Sequence, residues 1–434
     1  MKNHQNSSGS EKSSRRQFLK TGAVAAVAGS MLTKLNAGAF AAGDEILRVG
    51  LVGCGGRGTG AANQALNADP QNRLVAMADA FDDRLQSSLK TLKVQHEEKV
   101  VVDKEFQLSG FDAYKKVIDT SDVVILTTPP HFRPAHLKYA IEQGKHVFCE
   151  KPVAVDAPGI RSVLETAALA KKKNLSLVSG LCWRYDTNIR ATFDQVHSGA
   201  IGEITAMQCS YHSGGVWEPR KTREECKSEM EYQMRNWYYY TWLSGDFNVE
   251  QHVHSLDKMA WAMRDETPIE VSGSGGRQQR TDPKYGNIYD HFSVVYEYAN
   301  GVKAFARCRH FRGCKGDVTD HIFGTKGTCH IRGYKSHIEG EKNWEYKGPK
   351  GENMYQIEHN EMFAAIRAGK PINNGHYMSM SSMLAIAGRM SAYTGKTLTW
   401  DQCFNSKDDL TPKAYEWGDI PVPEVAIPGV TQFV

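Results

Sequence analysis

The sequence predicts a two-domain α/β protein: an N-terminal doubly wound parallel sheet, then an α+β domain on a large open, mainly antiparallel sheet. Three observations lead there. From Ile46 onward, short apolar runs alternate with segments of helical spacing, the pattern of strands joined by crossover helices. A glycine-rich turn, Gly53-Cys54-Gly55-Gly56-Arg57-Gly58, stands directly after the first apolar run. In the second half, apolar runs meet at tight turns such as Asn300-Gly301, which join antiparallel neighbours.

A chain of 434 residues, 41% hydrophobic and 24% charged, is long enough for two ordinary cores. The formal charge of +4 is concentrated at the start: residues 1–41 carry six basic groups and one acid, leaving 47 basic and 48 acidic residues after them. Such a body has no electrostatic footprint for nucleic acid. No apolar run reaches the ~18–20 residues of a bilayer-spanning helix.

Residues 1–42 read as a leader. Arg15-Arg16 precedes a mild apolar run from Ala23 to Ala28, and Ala39-Phe40-Ala41 has the form of a cleavage site. That order is a twin-arginine export signal. It predicts recognition by the twin-arginine machinery, export of a folded protein and a periplasmic location. The nine cysteines are scattered, odd in number and free of any C-x-x-C pair, so neither a disulfide framework nor a zinc cluster is expected.

Residues 43–172 are expected to form the dinucleotide-binding domain. Strands are predicted at 46–52, 73–78, 122–127 and 146–149, with helices at 59–68, 133–143 and 157–173. Gly53, Gly55 and Gly58 spell G-x-G-x-x-G between a strand and a helix, the context that gives the motif meaning. Gly53 permits the tight turn, Gly55 lets the main chain approach a pyrophosphate, and Gly58 lets helix pack on strand. Gly56 and Arg57 complete the loop at a helix N-terminus, where free N–H groups favour an anion. Asp79 closes the second strand, where a carboxylate accepts bonds from ribose hydroxyls. An acid there favours NAD over NADP, although Arg84 offers a partner for a 2′-phosphate.

The run Leu126-Thr127-Thr128-Pro129-Pro130-His131, then His136, and the run 144–152 ending Glu150-Lys151-Pro152 are highly specific. With the glycine motif they resemble the glucose-fructose oxidoreductase and inositol 2-dehydrogenase (Gfo/Idh/MocA) superfamily, over nearly the whole chain after the leader. The resemblance implies that Glu150, Lys151 and Pro152 line the nicotinamide site, that Lys151 contacts substrate and cofactor, and that a cis bond precedes Pro152. It also implies that Thr128, Pro129 and Pro130, with His131 and His136, flank the dinucleotide.

Residues 173–434 are expected to be the α+β substrate and oligomerisation domain. Asp186 and Thr187 can cap a helix carrying Ile189, Phe193 and Val196, ended by Gly199. Strands follow at 204–211, 268–273, 292–299, 302–310, 321–323 and 328–331, and helices at 358–368 and 382–394. The resemblance makes one face of this sheet the substrate wall and the other a homo-oligomer contact. Arg184 and Tyr185 follow a strand expected at 175–179 and fall where the family borders its substrate pocket. Segment 214–245 is longer than is common in the family and rich in aromatics and arginines, including Trp217, Arg220, Arg235, Trp237 and Tyr238. It suits sugar stacking, or equally core packing and a subunit contact. Thr222-Arg223-Glu224-Glu225 has capping-box form, predicting a helix start.

Glu250-Gln251-His252-Val253-His254-Ser255-Leu256-Asp257 is the other informative run. On one helix, Glu250 and His254 share a face. The resemblance matches His254 to the family histidine and puts Glu250, one methylene longer, at the family's aspartate. Hydride transfer from a carbinol needs a base for the hydroxyl proton. Lys151 and His254 are assigned as the acid/base pair and Glu250 as their orienter, with His252 on the substrate side. Glu250, His252, His254, Asp290 and His291 carry metal donors, but H-x-H on a helix does not converge, so no metal is expected.

Together these readings predict an NAD(P)-dependent oxidoreductase acting on a secondary hydroxyl of a sugar, glycoside or cyclitol, with its cofactor tightly bound because free NAD is not supplied outside the cytoplasm. The alternatives are a redox-neutral, NAD-dependent glycoside hydrolase and a non-catalytic nucleotide or sugar binder.

Overall fold

The computed structural model describes residues 45–349 and 351–434; the leader read over residues 1–42 lies outside them. Six short apolar strands form the first sheet: β1 (Leu47–Val52), β2 (Asn72–Asp79), β3 (Gln107–Ser109), β4 (Val123–Leu126), β5 (His146–Cys149) and β6 (Leu177–Ser179). All pair in parallel, in the order β3-β2-β1-β4-β5-β6. Helices cover both faces, so strands such as Val123–Leu126 are buried along their whole length. Strand order reverses between β1 and β4, which opens a crevice at the carboxyl ends of these strands.

Two helices and one strand of this domain go beyond the sequence reading. Helix Asp82–Gln95 buries only Leu85, Ser88, Leu89 and Leu92, a stripe too narrow to stand out in a polar segment. Helix Ala113–Thr120 is short, and β3 has three residues, none fully buried.

The second sheet has nine strands: β7 (Ile204–Ser213), β8 (Glu270–Gly276), β9 (His291–Glu297), β10 (Lys303–His310), β11 (Asp317–Gly324), β12 (Gly327–Arg332), β13 (Lys335–Gly340), β14 (Trp344–Glu345) and β15 (Leu398–Thr399). Their order is β14-β13-β12-β11-β7-β10-β9-β8-β15. Pairing is antiparallel except for β7 with β10. The turn at Asn300-Gly301 joins β9 to β10, with Gly301 at φ 83°. Alternation is clear in β10, where Ala304, Ala306 and Cys308 are buried and Lys303, Phe305 and Arg307 are exposed. The buried face packs under helix Gly375–Thr394, which also rests on helix Ala157–Lys172 of the first domain; the other face is open.

Asp186 caps helix Thr187–His197 by accepting from the Ile189 N–H at 2.9 Å. Thr222 starts no helix: its N–H donates to Glu225 Oε2 at 2.8 Å within a turn, and the next helix, Glu229–Arg235, is capped by Ser228. All nine cysteines are free, Cys54 and Cys149 among the buried ones. No helix of the described residues is long and apolar enough to cross a membrane.

Candidate active site

A cavity of about 510 Å³ fills the crevice. One end is main chain. β1 ends in Gly53, whose φ is 96°, and a Cβ there would lie 2.6 Å from the main chain of Thr127 and Thr128. A Cβ on Gly58 would lie 1.9 Å from the Gly53 carbonyl oxygen, so only glycine allows this helix to sit so close to the strand. A Cβ on Gly55 would meet nothing within 4 Å; that side faces the cavity. Helix Gly56–Ala68 begins here with no side-chain cap and no acid in its first turn, so its first N–H groups remain available to an anion. Asp79, at the end of β2, accepts from the N–H groups of Cys54 at 2.6 Å and Phe81 at 3.0 Å. Burial raises its pKa against those two bonds. The cradle thus fits a dinucleotide: an uncapped helix start, a glycine face free of side chain and a carboxylate at the end of the neighbouring strand, all on one cavity.

The other end is made of side chains from both domains. The Lys151–Pro152 bond is cis. Lys151 Nζ donates to the Glu250 carbonyl oxygen and, at 3.1 Å, to Glu250 Oε1. Gln251 Nε2 donates to Glu250 Oε2 at 2.6 Å, and the Tyr211 hydroxyl donates to Gln251 Oε1 at 3.0 Å. Burial and the Glu250 charge push the Tyr211 hydroxyl up to about 12, so it stays a donor. His254 lines the same cavity, and its Nδ1 is buried without a hydrogen-bond partner. Burial, with the Lys151 and Lys258 cations, holds its pKa well below the usual imidazole range. Glu250 and His254 do not share one helix. Glu250 ends helix Phe247–Glu250 and His254 sits in the first turn of helix Val253–Ala262, with the break at Gln251 and His252.

Between the two ends, buried Glu150 pairs with Arg57 Nε at 2.7 Å and accepts from the Lys151 N–H at 3.0 Å. Arg133 donates to the carbonyl oxygens of Thr128, at 2.8 Å, and Pro152, tying the Thr128-Pro129 loop to the lysine loop. His136 lines the cavity beside Thr128 and stacks on Tyr114, ring centroids 4.0 Å apart. Burial lowers its pKa to about 3.

Of the residues expected at the cofactor, Gly53, Gly55, Gly56, Arg57, Gly58, Asp79, Thr128, Pro129, His136, Glu150 and Lys151 line this cavity; Pro130, His131 and Pro152 do not. His131 instead shares a hydrogen bond with the Tyr415 hydroxyl at 2.8 Å. On the substrate side Trp237 lines the cavity and four expected residues do not. Arg184 is buried in ion pairs with Asp257 and Asp265. The Tyr185 hydroxyl donates to Asn374 at 2.8 Å. Tyr238 is packed inside the aromatic cluster of its own segment. His252 is fully buried between Asn248 and Cys209. Segment 214–245 divides accordingly: Trp217, Arg220, Arg235 and Trp237 reach the cavity, while Tyr238, Tyr239, Tyr240 and Trp242 are core. Phe111, Tyr114, Arg133, Tyr211, Gln251 and Tyr355 also line it; of these only Gln251 falls in a run the sequence singles out, and no role was expected of it. A hydroxyl-bearing residue near the end of a strand flanking the cleft is the one signal that could have found Tyr211.

Two family models match the chain. The Gfo/Idh/MocA oxidoreductase family model, described as an NAD-binding Rossmann fold, covers residues 47–179, and the Gfo/Idh/MocA C-terminal domain covers residues 189–330. The chain belongs to the Gfo/Idh/MocA oxidoreductase family. As a member it is an NAD-binding oxidoreductase. Among its Gfo/Idh/MocA relatives are inositol 2-dehydrogenase 3 of Saccharopolyspora erythraea, 26% identical over 66% of this chain and 73% of that protein, and 2,7-anhydro-N-acetylneuraminate hydratase of Escherichia coli, 25% identical over 50% and 56%. An uncharacterized oxidoreductase of Streptococcus pneumoniae is 25% identical over 58% of this chain and 66% of its own length. Alignment thus spans roughly half to three quarters of these relatives. The fold is shared with aldose-aldose oxidoreductase from Caulobacter crescentus, crystallised with glycerol (TM-score 0.64, 19% identity, 82% of this chain and 100% of that one). It is shared too with levoglucosan dehydrogenase in complex with NADH and levoglucosan (TM-score 0.63, 18% identity, 82% and 99%).

Proposed function

We propose that this enzyme moves hydride between a secondary hydroxyl of a sugar, glycoside or cyclitol and a resident nicotinamide cofactor. The observation that carries the reading is the Lys151–Glu250 pair, at 3.1 Å, sharing with His254 a cavity whose far end is the glycine loop. NAD, when bound, supplies the hydride acceptor. The loop of Gly53 to Gly58 and the start of its helix would hold the pyrophosphate, and Asp79 the adenosine ribose, which favours NAD over NADP. Lys151, aimed by Glu250, holds the substrate oxygen and shares its proton with His254 as the second member of an acid/base pair. His254, which lines the same cavity, takes the hydroxyl proton in the oxidative direction and returns it in the reductive one. The polyol dehydrogenases among the relatives and fold neighbours support a carbohydrate-like substrate.

Retention of the cofactor is part of the same reading. Phe81 and Phe111 line the cavity, and Trp417 of the C-terminal segment packs on both rings, at 5.2 and 4.6 Å. Arg235 lies 3.7 Å over Phe81 and pairs with Asp83 at 2.8 Å. Two chain segments thus close over one edge of the cleft. A resident cofactor suits an enzyme exported by the twin-arginine route to the periplasm, the destination we propose from Arg15-Arg16. Substituting both arginines by lysine and fractionating cells tests it: protein still found in the periplasm overturns the route.

A redox-neutral lyase or hydrolase is the second reading. It is favoured by the hydratase relative and by two separate proton-handling groups, Lys151 and His254, in one cavity. Mass spectrometry of the denatured native protein should release NAD in near-stoichiometric amount. Incubation with aryl glycosides and no added NAD then separates the readings. A keto-sugar without cleavage supports the oxidoreductase; release of the aryl group supports the hydrolase. Neither product, with a full complement of NAD, overturns both.

A further inference from the structure

Three strands at one edge of the second sheet set histidines side by side on its open face. The register of β11, β12 and β13 pairs His321 with His330, and His330 with His337. Alternate side chains along a strand share a face, so Glu339, two residues beyond His337, joins them, while Ile322, Cys329, Ile331 and Ile338 are buried on the other side. Directly opposed residues of antiparallel strands hold their Cβ atoms about 4.5–5.5 Å apart, close enough for two imidazoles to reach one ion.

The side chains are already gathered. The rings of His330 and His337 stack at 4.8 Å between centroids. His337 Nε2 is 3.2 Å from Glu339 Oε1, and His330 Nε2 is 3.9 Å from Glu339 Oε2. One donor atom from each of His330, His337 and Glu339 lies within 4.8 Å of the other two. Zinc held tetrahedrally at about 2.0–2.1 Å keeps its ligands about 3.3 Å apart, so small rotations of the half-buried His330 and His337 rings and the exposed Glu339 close the site. An independent feature points the same way. His321 Nδ1 is 2.8 Å from His330 Nδ1. With His330 as the donor, its lone pair rests on Nε2, the nitrogen that faces Glu339. Metal-bound imidazoles are fixed in this manner, their second nitrogen donating to a neighbour.

We propose that His330, His337 and Glu339 form a binding site for a divalent cation of the zinc class, with His321 orienting His330 from behind. Two nitrogens and a carboxylate suit zinc and its late-transition neighbours over calcium or magnesium, and the fourth position is left to water. None of the four residues lines the active-site cavity, so the site is independent of the catalytic reading. A bound ion would pin β12 to β13 near the sheet edge and stabilise the native state by mass action.

The test uses the full protein after chelator treatment. Calorimetric titration with Zn²⁺ should show one saturable equivalent and a rise in Tm. His330→Ala and His337→Ala should each weaken it at least about 100-fold, and His321→Phe about 10–100-fold, with catalytic turnover unchanged in all three. Glu339→Gln, at the exposed rim, serves if a histidine variant fails to fold. Co²⁺ should give weak visible bands with no thiolate charge-transfer band. Zinc affinity unaltered in His337→Ala and Glu339→Gln, a thiolate band from Co²⁺, or no saturable binding below about 100 μM overturns the proposal.

Discussion

At the phosphate end of the cleft, the fit is written in main chain: Gly53 and Gly58 sit where a Cβ would strike backbone, and Gly55 keeps a face clear. At the reactive end, by contrast, Lys151 follows β5, Tyr211 sits on β7, and Glu250 and His254 flank a broken helix about a hundred residues further on. The first end is local and rigid, set by one strand–turn–helix. The second exists only when two domains are packed together, its Lys151–Glu250 and Tyr211–Gln251 bonds each joining residues far apart in the chain. A change at the phosphate end should therefore act through binding and stability, and a change at the reactive end through turnover.

The sharpest way to break that contrast is Lys151→Ala. It should lower kcat about 10²–10⁴-fold, the range of a lost acid/base group, while native mass spectrometry still finds dinucleotide bound. A variant that keeps full turnover, or that loses the cofactor, would erase the distinction. Gly58→Ala probes the opposite end. Its Cβ would sit 1.9 Å from the Gly53 carbonyl oxygen, so helix and strand must part, at about 1–3 kcal/mol for such overpacking. The expected readout is a lower Tm and roughly tenfold or greater loss of cofactor affinity, with kcat of the saturated enzyme near wild type. Asp79→Asn is milder. It keeps an acceptor for one of the N–H groups of Cys54 and Phe81 but removes the charge, so the preference for NAD over NADP should fall by about one order of magnitude. Equal discrimination in the variant would mean that Arg84 and Arg220, not Asp79, set it.

The same division explains how much could be read in advance. Glycine spacing reports main-chain shape directly, so the place of Gly53, Gly55, Gly58 and Asp79 on the cavity was legible, as was that of Glu150 and Lys151, though not Pro152, through the resemblance. On the substrate side a residue type does not reveal where its side chain goes. Arg184 has the chemistry of a sugar ligand, yet Asp257 and Asp265 claim it. His252 and His254 look alike in sequence, and the break in the helix buries one and turns the other to the cavity. Nothing in the sequence joins Tyr211 to Gln251, because a hydrogen bond 40 residues apart is a product of packing. The histidine row of β11–β13 is hidden for the same reason: cross-strand register, not spacing along the chain, makes it.

The smallest effect lies in acid stability, and it tests whether the loop after β4 belongs to the rigid end. His131 lies in that loop, and burial lowers its pKa to about 4. In the unfolded chain the imidazole titrates near its ordinary value of about 6.5. Between those two values the unfolded state binds a proton that the fold does not, so stability falls as pH drops from about 6.5 toward 4 and is flat above. His131→Gln retains a partner for the Tyr415 hydroxyl and cannot take up that proton. Its Tm should therefore lie slightly below wild type at pH 7.5, and the gap should narrow or reverse by pH 4.5, with kcat little changed at either pH. A gap that stays constant across this range would show that His131 is not held neutral, and that the C-terminal segment carrying Tyr415 does not seal this loop from solvent.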